Sequence, residues 1–273
     1  MNLSLFTLFI TLSVWARPTV LVSYFDAFGE APFNNSDLVA QNLRLKFTNH
    51  PKLEIQFCAL NTVFDKSLNQ LEACINQLTQ RPIMVLGLGE AICELKVETI
   101  ARNKDKTFGP DNEGNERDGQ IIKNGVDFIG LRYPLHEMYC ALNSNERKQI
   151  VISNDAGGFV CNNLMYQMSY IYPDLQFGFI HVPAHNCENL QSKNELVTQS
   201  LQKMLIGLIE AYEKPATLIN LPHWENQNRL PIEKEDIKYL RQQVRDNECL
   251  QEFVEKLKPG DFWSWFRNLK HHN

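Results

Sequence analysis

Residues 150–172 read IVISNDAGGFVCNNLMYQMSYIY, and the way this stretch divides decides the fold. Its first four residues, ending at Ser153, are mostly β-branched and apolar, as a buried strand requires. Asp155-Ala156-Gly157-Gly158 then turns the chain, because glycine enters dihedrals closed to other residues. From Phe159 the apolar spacing becomes helical for about three turns. The same alternation runs outward on both sides. Upstream, residues 19–24 (TVLVSY), 53–60 and 82–88 (PIMVLGL) read as strands. Between them lie helical patterns over 37–47, with Ser36 as the expected cap, and over 62–79. Downstream, FGFIHV at 177–182 is a further buried strand, and residues 195–212 form an amphipathic helix with Leu201, Met204, Leu205 and Leu208 on one face. Strands alternating with helices predict an α/β fold: a three-layer α/β/α sandwich around an open, largely parallel twisted sheet. Residues 103–124 are polar and hold Gly109-Pro110, so they are expected as a long loop, a common place for function.

Composition narrows the partners. Lys plus Arg total 27 against 32 Asp plus Glu, a net charge of −5, so no basic excess exists to neutralise a nucleic-acid backbone. Residues 3–14 (LSLFTLFITLSV) are apolar and uncharged, the length of a signal-peptide core and too short for a membrane span. Residues 1–16 are therefore expected to be a cleaved export signal, with a secreted or periplasmic mature chain starting near Arg17. In that setting disulfides persist. The seven cysteines are odd in number, so at least one sulfur stays unpaired within a monomer. None are spaced as CxxC, which argues against a structural zinc site. Six paired cysteines would allow fifteen arrangements, all open at this point. No metal or cofactor is expected.

Three residues carry chemistry. Cys161 follows the glycine turn into the first turn of a helix, where free N–H groups and the helix dipole favour a thiolate and can hold an oxyanion. His181 ends an apolar strand before Pro183, and strand C-termini are where open α/β sheets bind ligands. Glu98 lies in Val97-Glu98-Thr99-Ile100-Ala101. Taken singly each has a plainer role: a packed cysteine, a structural histidine, a surface carboxylate.

Taken together they resemble the pyroglutamyl peptidase I family. Cys161 with its flanks and Gly178-Phe179-Ile180-His181-Val182-Pro183 are similar to that family's cysteine and histidine motifs, and Glu98 through Asn103 to its E-x-x-A-x-N motif. Residues 21–29 (LVSYFDAFG) resemble its T-G-F-x-P-F-G signature, Asn34-Asn35-Ser36 the N-P-S that follows, and residues 110–115 (PDNEGN) a family loop. The resemblance spans residues 18–214. It implies a thiol peptidase that removes an N-terminal pyroglutamyl residue from peptides, with Cys161 as nucleophile, His181 as base and then acid, and Glu98 orienting the ring. It also implies a pocket for the lactam lined by Phe25, Phe28, Phe159 and Val160. The chain departs from the family in three places. Tyr24 replaces a glycine, which would set a large side chain beside the pocket. Ala27 replaces a proline. Residues 88–92 (LGEAI) replace Q-A-G-G-R, leaving Ile92 where many bacterial members have arginine.

Three segments follow from this: a signal at 1–16, a catalytic domain at 17–215 and a helical extension at 216–273. The extension shows a charged helix over 232–257, whose Ile237, Leu240, Val244, Phe253 and Leu257 are suited to packing back on the domain. Its end, Phe262-Trp263-Ser264-Trp265-Phe266, is costly to leave exposed and could instead bind a partner. Asn34-Asn35-Ser36 fits a glycan acceptor but reads better as loop and helix cap. Two other classes stand beside the peptidase: a relative that keeps the fold and triad yet only binds, and an exported interaction module.

Overall fold

The computed structural model describes residues 17–213 and 247–257. Among them the strands are β1 (Thr19–Phe25), β2 (Glu54–Leu60), β3 (Met84–Glu90), β4 (Leu95–Glu98), β5 (Ile100–Arg102), β6 (Asp105–Lys106), β7 (Asp118–Gly119), β8 (Phe128–Gly130), β9 (Ile150–Ser153) and β10 (Phe177–Val182). The helices are α1 (Asn35–Phe47), α2 (Lys66–Gln77), α3 (Leu135–Cys140), α4 (Ser144–Lys148), α5 (Val160–Ile171), α6 (Leu190–Glu213) and α7 (Glu248–Lys256).

Six strands make the main sheet in the order β2-β1-β3-β10-β4-β9. The first four are mutually parallel; β4 runs antiparallel to β10 and parallel to β9. The expected layering holds. Val20, Leu21 and Val22 in β1 and Met84, Val85 and Leu86 in β3 are all buried, so both sheet faces are covered. Helices α1 and α6, with α3 against α6, pack on one face, while α2 and α5 meet on the other.

Local chemistry adjusts several boundaries. The α1 cap is Asn34, not Ser36: the Asn34 carboxamide oxygen accepts from the Ser36 N–H at 3.0 Å. The Ser36 hydroxyl donates to Asn34 at 2.7 Å and accepts from the Phe25 N–H, tying the helix start to the end of β1. Asn34 is thus buried as a cap, which leaves it no room for a glycan. The helix expected over 62–79 begins only at Lys66, because Thr62 through Asp65 form a turn with Asp65 at φ 56°. The stretch 103–124 is not a plain loop. β6 pairs antiparallel with β7, and Asn103 closes the far side through reciprocal bonds with the Ile122 backbone at 2.9 and 2.8 Å.

Six cysteines stand in pairs at disulfide distance: Cys58 with Cys74, Cys93 with Cys187, and Cys140 with Cys249. Cys161 is left free. In the extension, Phe253 and Leu257 are buried and the Phe253 ring lies 5.4 Å from that of Tyr139. Arg147 and Glu252 add an ion pair at 2.7 Å, so this part does pack back on the domain. The signal segment, Ile237, Leu240, Val244 and the aromatic cluster at 262–266 lie outside the described residues.

Candidate active site

The site forms where β3, β10 and β4 lie side by side beneath the start of α5. Ile150 to Ser153 bring the chain up through the sheet, and Gly157 at φ 80° turns it into the helix. Gly158 lets the turn pass close to the β6 backbone: a Cβ there would sit 2.7 Å from the Lys106 nitrogen. Phe159 precedes α5 in an extended conformation and places no side-chain cap on its first turn. The N–H groups around Cys161 therefore remain directed toward whatever lies before the helix. Gly89 of β3 backs Cys161, since a Cβ on Gly89 would be 2.9 Å from the Cys161 sulfur.

Strand register brings the other two residues in. His181 pairs with Gly89 on one side and with Lys96 on the other, and Glu98 pairs with Phe179. Alternation along β10 puts Phe179 and His181 on one face, with ring centroids 5.1 Å apart. The His181 Nδ1 lies 2.9 Å from Glu98 Oε1. Glu98 is fully buried, against the surface position its sequence context suggests on its own. It reaches this position because residues 95–98 form an inner strand, β4, that sequence periodicity did not reveal. The Lys96 ammonium is 3.9 Å from the same carboxylate oxygen, and the buried Tyr133 hydroxyl donates to the Glu98 backbone carbonyl at 2.8 Å.

Burial pushes the His181 imidazole down. The Cys161 sulfur and the Glu98 carboxylate, both hydrogen-bonded to it, outweigh that effect and hold it up at about 9. Those two contacts favour the protonated ring, which is bonded to Glu98 through Nδ1 and to the sulfur. The structure brings Glu98, His181 and Cys161 into one chain of contacts.

The four expected pocket residues divide into two layers. Phe28 and Phe159 present ring surface, with centroids 5.0 Å apart. Phe25 and Val160 are buried behind them, Phe25 against Phe179 at 6.5 Å. Phe64, which sequence reasoning passed over, meets Phe159 edge-on at 5.3 Å and carries the Arg117 guanidinium over its ring. Tyr24 does not sit beside this pocket. Alternation along β1 turns it away from Phe25, onto the face covered by α1. Asn162 and Asn163 were also missed. Asn162 bonds the Arg102 and Lys104 backbone, and Asn163 holds Asp105, so the helix that carries Cys161 anchors the segment after Glu98. Paired polar residues inside an apolar helix were the available signal. Among the described residues no cluster of His, Cys, Asp or Glu is arranged to hold a metal ion, and no helix is long and apolar enough to cross a membrane.

A family model described as pyroglutamyl peptidase matches residues 18–217. The chain is 32% identical over 197 residues to a pyrrolidone-carboxylate peptidase of Thermosipho africanus, covering 70% of this chain and 93% of the relative. It is 31% identical over 199 residues to one of Streptococcus pneumoniae, covering 71% and 91%. Among solved structures, pyroglutamyl peptidase I of Bacillus amyloliquefaciens aligns with a TM-score of 0.61 at 25% identity, covering 71% of this chain and 98% of its own. The pyrrolidone carboxyl peptidase of Fervidobacterium islandicum aligns at 0.60 and 25%, covering 71% and 99%.

Proposed function

The chain belongs to the pyroglutamyl peptidase family, and from that membership we propose that it is a cysteine exopeptidase that hydrolyses the N-terminal pyroglutamyl residue from peptides. The observation that carries the proposal is the contact chain from Glu98 through His181 to Cys161, built at strand ends beneath a helix N-terminus.

The steps follow from the geometry. The Cys161 thiolate attacks the pyroglutamyl carbonyl carbon, and the carbonyl electrons move onto oxygen. First-turn N–H groups of α5 stabilise that oxyanion. The His181 imidazolium gives its proton to the peptide nitrogen, the C–N bond breaks and the amine leaves, producing a thioester. His181, now neutral, takes a proton from water as the water attacks the thioester; pyroglutamate departs and the thiolate and imidazolium are restored. Glu98 fixes the ring's orientation and balances its charge throughout. Phe28 and Phe159 offer an apolar slot for the uncharged lactam, backed by Phe25 and Val160. A free glutamate or glutamine N-terminus would bring charge into that slot, at a cost of several kcal/mol in order of magnitude unless paired.

The mature protein acts outside the cytoplasm, secreted or periplasmic, after removal of residues 1–16, with its three cysteine pairs oxidised. The apolar, uncharged run at 3–14 and the pairing of every cysteine except Cys161 support this. Release of aminomethylcoumarin from its pyroglutamyl amide by residues 17–273 tests the activity. Loss of release in Cys161→Ala is the expected result. Amino-terminal sequencing of exported protein tests the cleavage near Arg17; an intact Met1 would refute it. The binding-protein alternative rests on Tyr24 and Ile92; alternation along β1 sets Tyr24 on the face opposite Phe25, and Ile92 lies exposed beyond the end of β3.

A further inference from the structure

The chain segments leaving β3 and β10 are joined repeatedly just beyond the site. Cys93 pairs with Cys187 across them. The Ala91 N–H donates to the Val182 carbonyl and the Ala184 N–H to the Ile92 carbonyl, both at 3.3 Å, so the two segments stay together past the end of the ladder. Beside them the Glu90 carboxylate accepts from the Asn35 N–H at 2.7 Å and from the His185 N–H at 3.2 Å, and its other oxygen lies 2.7 Å from His185 Nδ1. The Asn35 carboxamide donates to the Pro183 carbonyl at 2.7 Å. These are the two strands on which the chemistry depends: Gly89 and His181 are register partners, Gly89 backs the Cys161 sulfur and His181 bonds it.

We propose that the Cys93–Cys187 bridge and the Glu90–His185 pair are a clamp of positioning residues, holding the ends of β3 and β10 so that Cys161 and His181 keep their working separation. The proposal rests on the peptidase reading above. The clamp touches no reacting atom and acts through the two strand ends. Misplacing a catalytic group by about 1 Å costs on the order of a hundredfold in rate, and loosening this clamp sacrifices part of that.

The test compares the serine pair C93S/C187S with C58S/C74S, which opens the bridge between β2 and α2, and with Glu90→Gln, which keeps all bridges. Turnover of pyroglutamyl-aminomethylcoumarin is measured with thermal stability. In C93S/C187S kcat falls about tenfold with KM within about twofold, whereas C58S/C74S keeps kcat although it too is less stable. Glu90→Gln loses about threefold in kcat and decides the matter if the serine pair does not fold. Equal kcat in the two serine pairs, or wild-type kcat in Glu90→Gln, overturns the clamp. If the wild type releases no coumarin, the peptidase reading fails by itself. The clamp is then judged by iodoacetamide alkylation of Cys161 at pH 6: about tenfold slower in C93S/C187S upholds it, and equal rates overturn it.

Discussion

At the scale of single residues, the proposed chemistry needs a buried imidazole that keeps its proton, and the contacts of His181 with Cys161 and Glu98 favour that. His181 binds its proton more tightly in the folded chain than at the ordinary value of 6.5. Its stabilising contribution is therefore full below about pH 6.5 and is lost as pH rises through about 9. Activity needs the same proton for the leaving amine, so kcat/KM is expected to fall as pH rises through about 9. Glu98→Gln removes one support of the imidazolium: the fall moves to lower pH and kcat drops roughly 10²–10⁴-fold. A pH–rate profile of the two proteins checks this, and an unmoved alkaline limb would count against the Glu98 contact. Gly89→Ala is a separate probe, since its Cβ would lie 2.9 Å from the sulfur. It should slow both turnover and Cys161 alkylation about tenfold or more; alkylation at the wild-type rate would contradict the close approach. Much of this was legible in the sequence. A cysteine behind Gly157-Gly158 and a histidine ending an apolar strand announce their positions. Glu98 did not, because burial of a carboxylate depends on a strand pairing that no local pattern encodes. Phe64 was hidden for the same reason, since the turn before α2 meets Phe159, just before α5, only in the folded chain.

At the scale of elements, the boundaries that sequence misplaced are those fixed by side chains bonding to distant backbone. Ser36 looks like a helix cap, but its hydroxyl is taken up by Phe25, which leaves Asn34 to cap α1. Asn34→Ala is expected to destabilise the fold by about 1 kcal/mol, seen as a lower Tm; an unchanged Tm would show that Asn34 is not the cap. The β6–β7 pair was equally illegible, since two-residue strands have no period to detect. Asp105 in β6 makes that pair pH-sensitive. Burial pushes its carboxyl up to about 6, against the opposing bonds from Asn163 and the charge of Arg117. The folded state therefore favours the protonated acid. This contribution is full below about pH 3.8 and is lost as pH rises through about 6. Melting curves of wild type and Asp105→Asn should draw apart between pH 4 and 7, the wild type losing relative stability as pH rises. Parallel trends would remove Asp105 from the account.

At the scale of the whole molecule, one αβα core presents its strand ends as a peptidase site and is closed by three cysteine pairs. The odd cysteine count said only that one sulfur was spare; the fold says that it is Cys161. The pairing itself could not be read from spacing, because Cys140 and Cys249 are 109 residues apart and meet only when α7 returns to α3. Opening that pair with C140S/C249S should cost about 2–5 kcal/mol of stability while the folded fraction keeps its kcat. A fall in kcat without a fall in Tm would place the extension within the catalytic machinery instead. The apolar and charged alternation that predicts an α/β sandwich was sufficient for the layers, and the motif order for the family. What the assembled site does decides the reading. Release of aminomethylcoumarin from its pyroglutamyl amide, with native mass spectrometry of the same sample, tests it most directly. Turnover by the mature chain is expected, with three intact bridges, a free Cys161 and no turnover in Cys161→Ala. A folded wild-type chain with Cys161 reduced and no release of coumarin would contradict it.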